Sequence, residues 1–210
     1  MNKIQEEIAY IMTRLYNKGL TTTSGGNISA CMDEHIFITP SQRDKARLTA
    51  SDIAEITCEG SPINKECSVS METTMHCAIY KARPDVKAIV HAHPLYATTY
   101  TATHNNISID LSGEALLLLA PIVRVPYACM GTQKLAQAVS EAAKKSDVLL
   151  LDNHGVVTLG TSLIEAFNRM EVCEMAARMT TLVKTIGSPS PLSKERSEQI
   201  LALRSKGIKG

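Results

Sequence analysis

Val148-Leu149-Leu150-Leu151-Asp152-Asn153-His154-Gly155-Val156-Val157-Thr158-Leu159 sets two apolar runs of strand length on either side of a short polar turn. Two parallel strands need a crossover of a dozen or more residues between them, so runs this close together predict antiparallel neighbours. The turn carries a histidine at a place where a side chain can project from the end of a sheet. Downstream, residues 163 to 185 have helical character, and Ser188-Pro189-Ser190-Pro191 separates them from a charged tail helix over residues 194 to 204. Upstream lie a helix over residues 132 to 144 with Thr132 as N-cap, and a strand over residues 122 to 125.

The amino-terminal half repeats the mixture. Ile4, Ile8, Ile11 and Leu15 recur at helical spacing with Gly19 as a C-cap, which predicts an amphipathic helix over residues 3 to 18. Residues 28 to 30 and 35 to 39 read as a hairpin-like pair ended by Pro40, and residues 52 to 57 as a further strand. A helix over residues 72 to 83 is stopped by Pro84, a strand over residues 86 to 91 follows, and Pro94 opens a helix running to about His104. The expected fold is α/β, with a mixed or mainly antiparallel sheet between helices. Neither a G-x-G-x-x-G nor a G-x-x-x-x-G-K-[ST] pattern occurs, which removes the usual support for dinucleotide or P-loop binding. With 210 residues the chain suits one domain, residues 1 to 187, followed by a tail, residues 188 to 210, holding a short helix.

Composition narrows the partners. Lys and Arg number 22 against 21 Asp and Glu, and no basic block exceeds Lys144-Lys145, so no nucleic-acid surface is expected. There is no signal sequence and no run of about 18 apolar residues, so no membrane segment is expected either. Cys31, Cys58, Cys67, Cys77, Cys129 and Cys173 form no C-x-x-C pair, which fits a reduced cytoplasmic protein. Cys77 and Cys173 fall in helical patterns as small apolar groups. The absence of Trp and the few aromatic residues argue against stacking platforms.

Chemistry concentrates in three histidines and three loops. In Ile89-Val90-His91-Ala92-His93-Pro94, strand alternation puts His91 and His93 on one face, where they can converge on one ion. His154 supplies a third imidazole, and three neutral nitrogens leave a coordination position open, as at a catalytic zinc. A histidine on a strand is commonly a hydrogen-bonded core or surface residue instead, and spacing alone leaves that alternative open. His35, His76 and His104 lack such company and read as structural or solvated. Ser24-Gly25-Gly26-Asn27 is a turn able to present backbone N–H groups to an anion, although ordinary turns use the same residues. Thr39-Pro40-Ser41-Gln42-Arg43 adds hydroxyl and amide donors, and Ser68-Val69-Ser70-Met71 precedes a helix whose first N–H groups favour a phosphate. Glu72 at that helix start either steadies the helix dipole by about 0.3–1 kcal/mol or, beside a metal, takes a proton from substrate. Together these features suggest a phosphorylated small-molecule substrate.

SGGNIS at 24 to 29, ITPS at 38 to 41, SMETTMHCAIY at 70 to 80, VHAHP at 90 to 94, VPY at 125 to 127, GT at 131 and 132 and LLDNHG at 150 to 155 occur in one order. In that combination the chain resembles the class II aldolase and adducin head family over about residues 1 to 185, and within it the zinc-dependent L-fuculose-1-phosphate aldolases. The resemblance implies an α/β/α sandwich around a largely antiparallel sheet, in a homotetramer with active sites at subunit interfaces. It implies His91, His93 and His154 as Zn2+ ligands, and Glu72 as the catalytic acid/base that also contacts the metal. It places Gly26, Asn27, Ser41, Gln42, Ser70 and Met71 at the phosphate. The implied reaction is cleavage of a ketose 1-phosphate to dihydroxyacetone phosphate and an aldehyde through an enediolate. The chain departs from the pattern at Gln42, where the family usually has glycine, and at Met71, where it commonly has serine. Ser112 stands where the fuculose enzymes carry a tyrosine proton donor. Rival readings are a sugar-acid phosphate decarboxylase, a ribulose-phosphate 4-epimerase, which typically has aspartate in place of Glu72, and a non-enzymatic adducin-like interaction domain.

Overall fold

Strands at Asn27–Met32 (β1), His35–Ile38 (β2), Ala54–Thr57 (β3), Ala88–Ala92 (β4), Ile122–Val125 (β5), Val148–Leu151 (β6) and Gly155–Gly160 (β7) form one sheet, in the order β3-β2-β1-β4-β7-β6-β5. They are seen in a computed structural model that describes residues 3–63 and 68–205. Cys67 lies outside the described residues. The 148–159 segment forms the expected hairpin, with Leu151 opposite Gly155 and Leu149 opposite Val157. Among the described ladders only β5 against β6 is parallel; the others are antiparallel.

Both faces of the sheet are covered, which is why β6 and β7 read as unbroken apolar runs rather than alternating ones. Helices Lys3–Asn17 (α1), Leu95–Thr101 (α3), Gly113–Leu119 (α4) and Leu163–Ile186 (α6) share one core with Ile28, Ala88, Val90, Leu150 and Val156. Helices Thr73–Ala82 (α2) and Gln133–Ala143 (α5) share the other with Ile36, Ile89, Leu149, Val157 and Leu159. Helix Lys194–Ser205 (α7) lies against α4. The result is the expected α/β/α sandwich. Strand alternation does the sorting: Ala88, Val90 and Ala92 of β4 face the first core, whereas Ile89 and His91 face the α2 side.

Local boundaries differ from the sequence expectations in instructive ways. Residues 50–52 form a 3-10 turn before β3, because Asp52 accepts the Thr49 N–H and hydroxyl and so caps rather than extends. Helix α3 stops at Thr101, short of His104, where Thr101 and Thr103 hydroxyls bond back to the carbonyls of Thr98 and Tyr100. Helix α4 has seven residues, too few for an apolar stripe to announce itself in the sequence. Glu72 is the N-cap of α2 rather than its first residue.

Candidate metal centre

The β1–β4 ladder builds the floor of the site by placing Asn27 directly opposite His91. His91 is fully buried, and its Nδ1–H donates to Val156 O at 2.9 Å on the neighbouring strand β7. That bond fixes the tautomer and turns the Nε2 lone pair towards the site, as ligand histidines commonly require. His93 follows two residues later on the same face, just past the strand end. His154 arrives from the β6–β7 turn, where Asn153 adopts a left-handed backbone with φ 52°.

That turn is held from three sides. Arg124 on β5 donates to Asp152 at 2.6 Å and to the carbonyls of Tyr100 and Asn105, and Asn153 N–H donates to Thr101 O. Gly155 completes it for steric reasons: a Cβ there would sit 2.5 Å from His93 Cδ2 and 2.7 Å from Ala92 O. Gly25 and Gly26 play a matching part, because a Cβ on Gly25 would lie 3.0 Å from His93 Nδ1 and one on Gly26 2.7 Å from His91 O. The Gly-Gly turn therefore has a packing reason as well as any anion-binding one.

Ligand atoms of His91, His93 and His154 lie within 4.8 Å of one another. Glu72 reaches them from the start of α2, with Oε2 3.1 Å from His91 Nε2 and Oε1 3.3 Å from His154 Nε2. Buried polar atoms are almost always hydrogen-bonded, yet Glu72 Oε1, His91 Nε2 and His93 Nε2 are buried without a hydrogen-bond partner among the described residues. Three imidazoles with ligand atoms this close, beside a carboxylate, and with orphaned atoms on His91, His93 and Glu72, are the donor set a divalent ion requires, so the residues fit a metal.

The electrostatics agree. Burial alone would raise the Glu72 carboxyl, but the charge of His91 beside it, the Asn27 amide and the charge of His154 outweigh it and hold the group well below the usual carboxylate range. Burial, with the neighbouring imidazoles, pushes His93 down to about 3 and His154 down to about 4, which keeps them neutral and able to ligate. His91 also loses solvation, but the Glu72 carboxylate more than compensates and its pKa rises.

Behind Glu72 runs a chain of donors that was not legible as chemistry in the sequence. Tyr80 and Ser29 hydroxyls meet at 2.8 Å, Ser29 Oγ lies 2.6 Å from His76 Nδ1, His76 Nε2 bonds Asn27 Oδ1, and Asn27 Nδ2 donates to Glu72 Oε2 at 2.9 Å. Its direction is forced. An ionised carboxylate only accepts, so the Asn27 amide must donate and its oxygen must accept from His76 Nε2–H. His76 is driven down to about 3 by burial and is neutral, so its Nδ1 accepts from Ser29, which in turn accepts from Tyr80. The Asn27 side chain is thus committed to Glu72. His76, four residues beyond Glu72 on the same helical face, is neither solvated nor idle.

A cavity of about 140 Å3 opens beside the cluster, lined by Ser24, Gly25, Gly26, Asn27, Pro40, Ser41, Lys45, Ser70, Met71, Glu72, His93, Met130 and His154. Gly26, Asn27, Ser41, Ser70 and Met71 are thereby brought together, while Gln42, at φ 54°, does not line the cavity. Ser112 heads α4 and is also outside the lining, which contains no tyrosine. Ser70 Oγ accepts the Glu72 N–H, which ties the third loop to the acid/base position. His35 pairs with Glu55 at the surface, well away from this site in the fold. The described cysteines are free; burial pushes Cys173 up to about 12 and Cys77 up to about 11, as inert thiols. No helix among the described residues is long and apolar enough to cross a membrane.

The family model for the class II aldolase and adducin N-terminal domain matches residues 6–181. An L-fuculose phosphate aldolase of Methanocaldococcus jannaschii is 35% identical over 179 residues, covering 85% of this chain and 96% of the relative. A 3-oxo-tetronate 4-phosphate decarboxylase of Escherichia coli O6:H1 is 29% identical over 181 residues, covering 84% and 85% of the two chains. A solved L-fuculose 1-phosphate aldolase superposes with a TM-score of 0.89 at 28% identity, over 98% of this chain and 97% of that one.

Proposed function

We propose, for a chain that belongs to the class II aldolase and adducin N-terminal domain family, that it is a zinc-dependent aldolase cleaving a ketose 1-phosphate to dihydroxyacetone phosphate and an aldehyde. The observation that carries this reading is Glu72, an ionised carboxylate with one oxygen unpartnered among the described residues, set against three convergent imidazoles. The proposed substrates are L-fuculose 1-phosphate or a related deoxy-pentulose 1-phosphate.

A zinc ion held by His91, His93 and His154, with Glu72 beside it, would supply Lewis acidity at the carbonyl oxygen. In condensation Glu72 takes a proton from the carbon of the three-carbon fragment that forms the new bond, and in cleavage it returns that proton to the same carbon. Resting ionisation suits the first role, and the Asn27 amide on Oε2 leaves Oε1 as the oxygen that moves the proton. Gly26, Asn27, Ser41, Gln42, Ser70 and Met71 are the proposed phosphate positions, several through the backbone; anchoring the phosphate fixes the reacting carbons relative to Glu72. We place the enzyme in the cytoplasm as a homotetramer whose sites lie at subunit interfaces, which offers a source for the aldehyde's proton donor.

The test is to measure bound metal and follow dihydroxyacetone phosphate release from a panel of ketose 1-phosphates, with Glu72→Gln and His93→Ala as controls. Metal-free protein would end the reading. Metal-loaded protein that instead liberates carbon dioxide from a sugar-acid phosphate would transfer the assignment to the decarboxylase.

A further inference from the structure

Lys45 is 2% exposed and ranks among the largest fully buried side chains, yet nothing described so far uses it. Its backbone N–H donates to Thr23 O at 2.9 Å, which sets its main chain against the loop leading into Ser24-Gly25-Gly26. Its Nζ donates to Pro40 O at 2.6 Å, the one hydrogen bond the described residues give it. An ammonium carries three donors, and lysine is almost never fully buried without a paired charge. Among the described residues no carboxylate lies within ion-pair distance of it, and burial alone draws its pKa down to about 8.

Its placement supplies the missing partner. Lys45 lines the cavity together with Ser24, Ser41 and Ser70, and it is the only lysine or arginine among the lining residues. The hydroxyls and backbone amides offer neutral donors, whereas Glu72, also in the lining, would repel an incoming anion; His93 and His154 are the remaining titratable groups among the lining residues. We infer that the Lys45 ammonium is the counter-charge for the phosphate monoester of the substrate, held by Pro40 O in the wall of the cavity until the anion arrives. The inference rests on the phosphorylated substrate proposed above. It accounts for a buried charge that a purely structural lysine would leave uncompensated.

The experiment uses the metal-loaded full chain, with glycerol 1-phosphate as an unreactive phosphate probe and glycerate as a carboxylate probe. Calorimetry should show wild-type protein binding glycerol 1-phosphate over glycerate, with Lys45→Met weakened about 10- to 100-fold, the range expected for one charge-assisted hydrogen bond, and Lys45→Arg in between. Thermal stability of the probe-free protein should be unchanged or higher in Lys45→Met. A structural clamp would give the opposite pattern, lower stability with full probe binding, and that result overturns the inference while leaving the aldolase reading intact. Wild-type protein that binds no phosphate monoester would sink both. Wild-type affinity for the probe, measured from pH 7 to 10, keeps the test independent of any variant's folding. It should fall as pH rises beyond about 8, and a flat profile would also overturn the inference.

Discussion

The two ends of the central strands β4 and β7 solve the problem of buried charge in opposite ways. At the end carrying His91, His93 and His154, charged and polar groups converge and stay unsatisfied: among the described residues Glu72 Oε1 and two imidazole nitrogens have no hydrogen-bond partner, and Lys45 has no counter-ion. At the other end, beside Val86 and Gly160, a larger cavity of about 550 Å3 is lined by Arg83, Asp147, Glu165, Arg169 and Arg204. There Asp147 sits 3.0 Å from Arg83, 3.3 Å from Arg169 and 3.5 Å from Arg204, and Arg169 also pairs with Glu165 and with Leu159 O. Apart from Arg169 Nε, those groups have their partners inside the protein. Cavity size is therefore a poor guide to chemistry here. The reactive end is the one whose electrostatics are incomplete, and the complete end fastens α2, α6 and α7 to the sheet.

The contrast breaks if substitutions at the two ends have similar consequences. Glu72→Gln should lower kcat by about 10²- to 10⁴-fold, the usual contribution of a positioned acid/base, with the melting temperature unchanged or raised. Steady-state kinetics beside a thermal melt would show it, and a variant that unfolds would contradict the assignment of this end to function. Lys45 sharpens the comparison through pH. Its folded pKa of about 8 lies below the unfolded value, so between about pH 8 and 10.5 the unfolded chain binds more protons and stability rises with pH. The gain is about 3 kcal/mol across that window, an upper figure, and it should vanish in Lys45→Met when denaturant melts are run at pH 7 and pH 10.

At the opposite end, Asp147→Leu leaves three guanidinium groups short of an acceptor and should destabilise by about 2 kcal/mol, less than for a fully buried pair because Arg83 and Arg204 are partly solvated. Its kcat should stay within twofold of wild type, and a large loss of activity would dissolve the division between the ends. The smallest effect belongs to Tyr80→Phe, which removes only the terminal donor of the chain behind Glu72. Ser29 still donates to His76, so the expected change is about 1 kcal/mol of stability with nearly unchanged turnover.

Much of the fold and the metal site is legible in the sequence, for identifiable reasons. The 148–159 hairpin is encoded locally, by two runs and a turn too short for a crossover. Strand alternation puts His91 and His93 on one face but leaves a structural role open; it is the order of SGGNIS, SMETT, VHAHP and LLDNHG along the chain that joins them to His154 and Glu72. What stayed hidden depends on register between distant segments. Asn27 serves Glu72 only because β1 pairs with β4 in the frame that sets it opposite His91, and Ser29 reaches His76 across 47 residues. His76 did carry a signal, the four-residue helical spacing from Glu72. Lys45 carried none: a lysine in a polar loop reads as solvated until the fold closes over it.

Arg124 ties the His154 turn to motions elsewhere in the chain. Its guanidinium bonds Asp152 on one side and the carbonyls of Tyr100 and Asn105, at and beyond the carboxyl end of α3, on the other. Asn153 N–H bonds Thr101 O, the same stretch of backbone. Fraying of that helix end would release the imidazole of His154 along with it. Amide exchange at Asn153 should then report how often the third ligand is out of place, on a timescale set by local opening rather than by global unfolding.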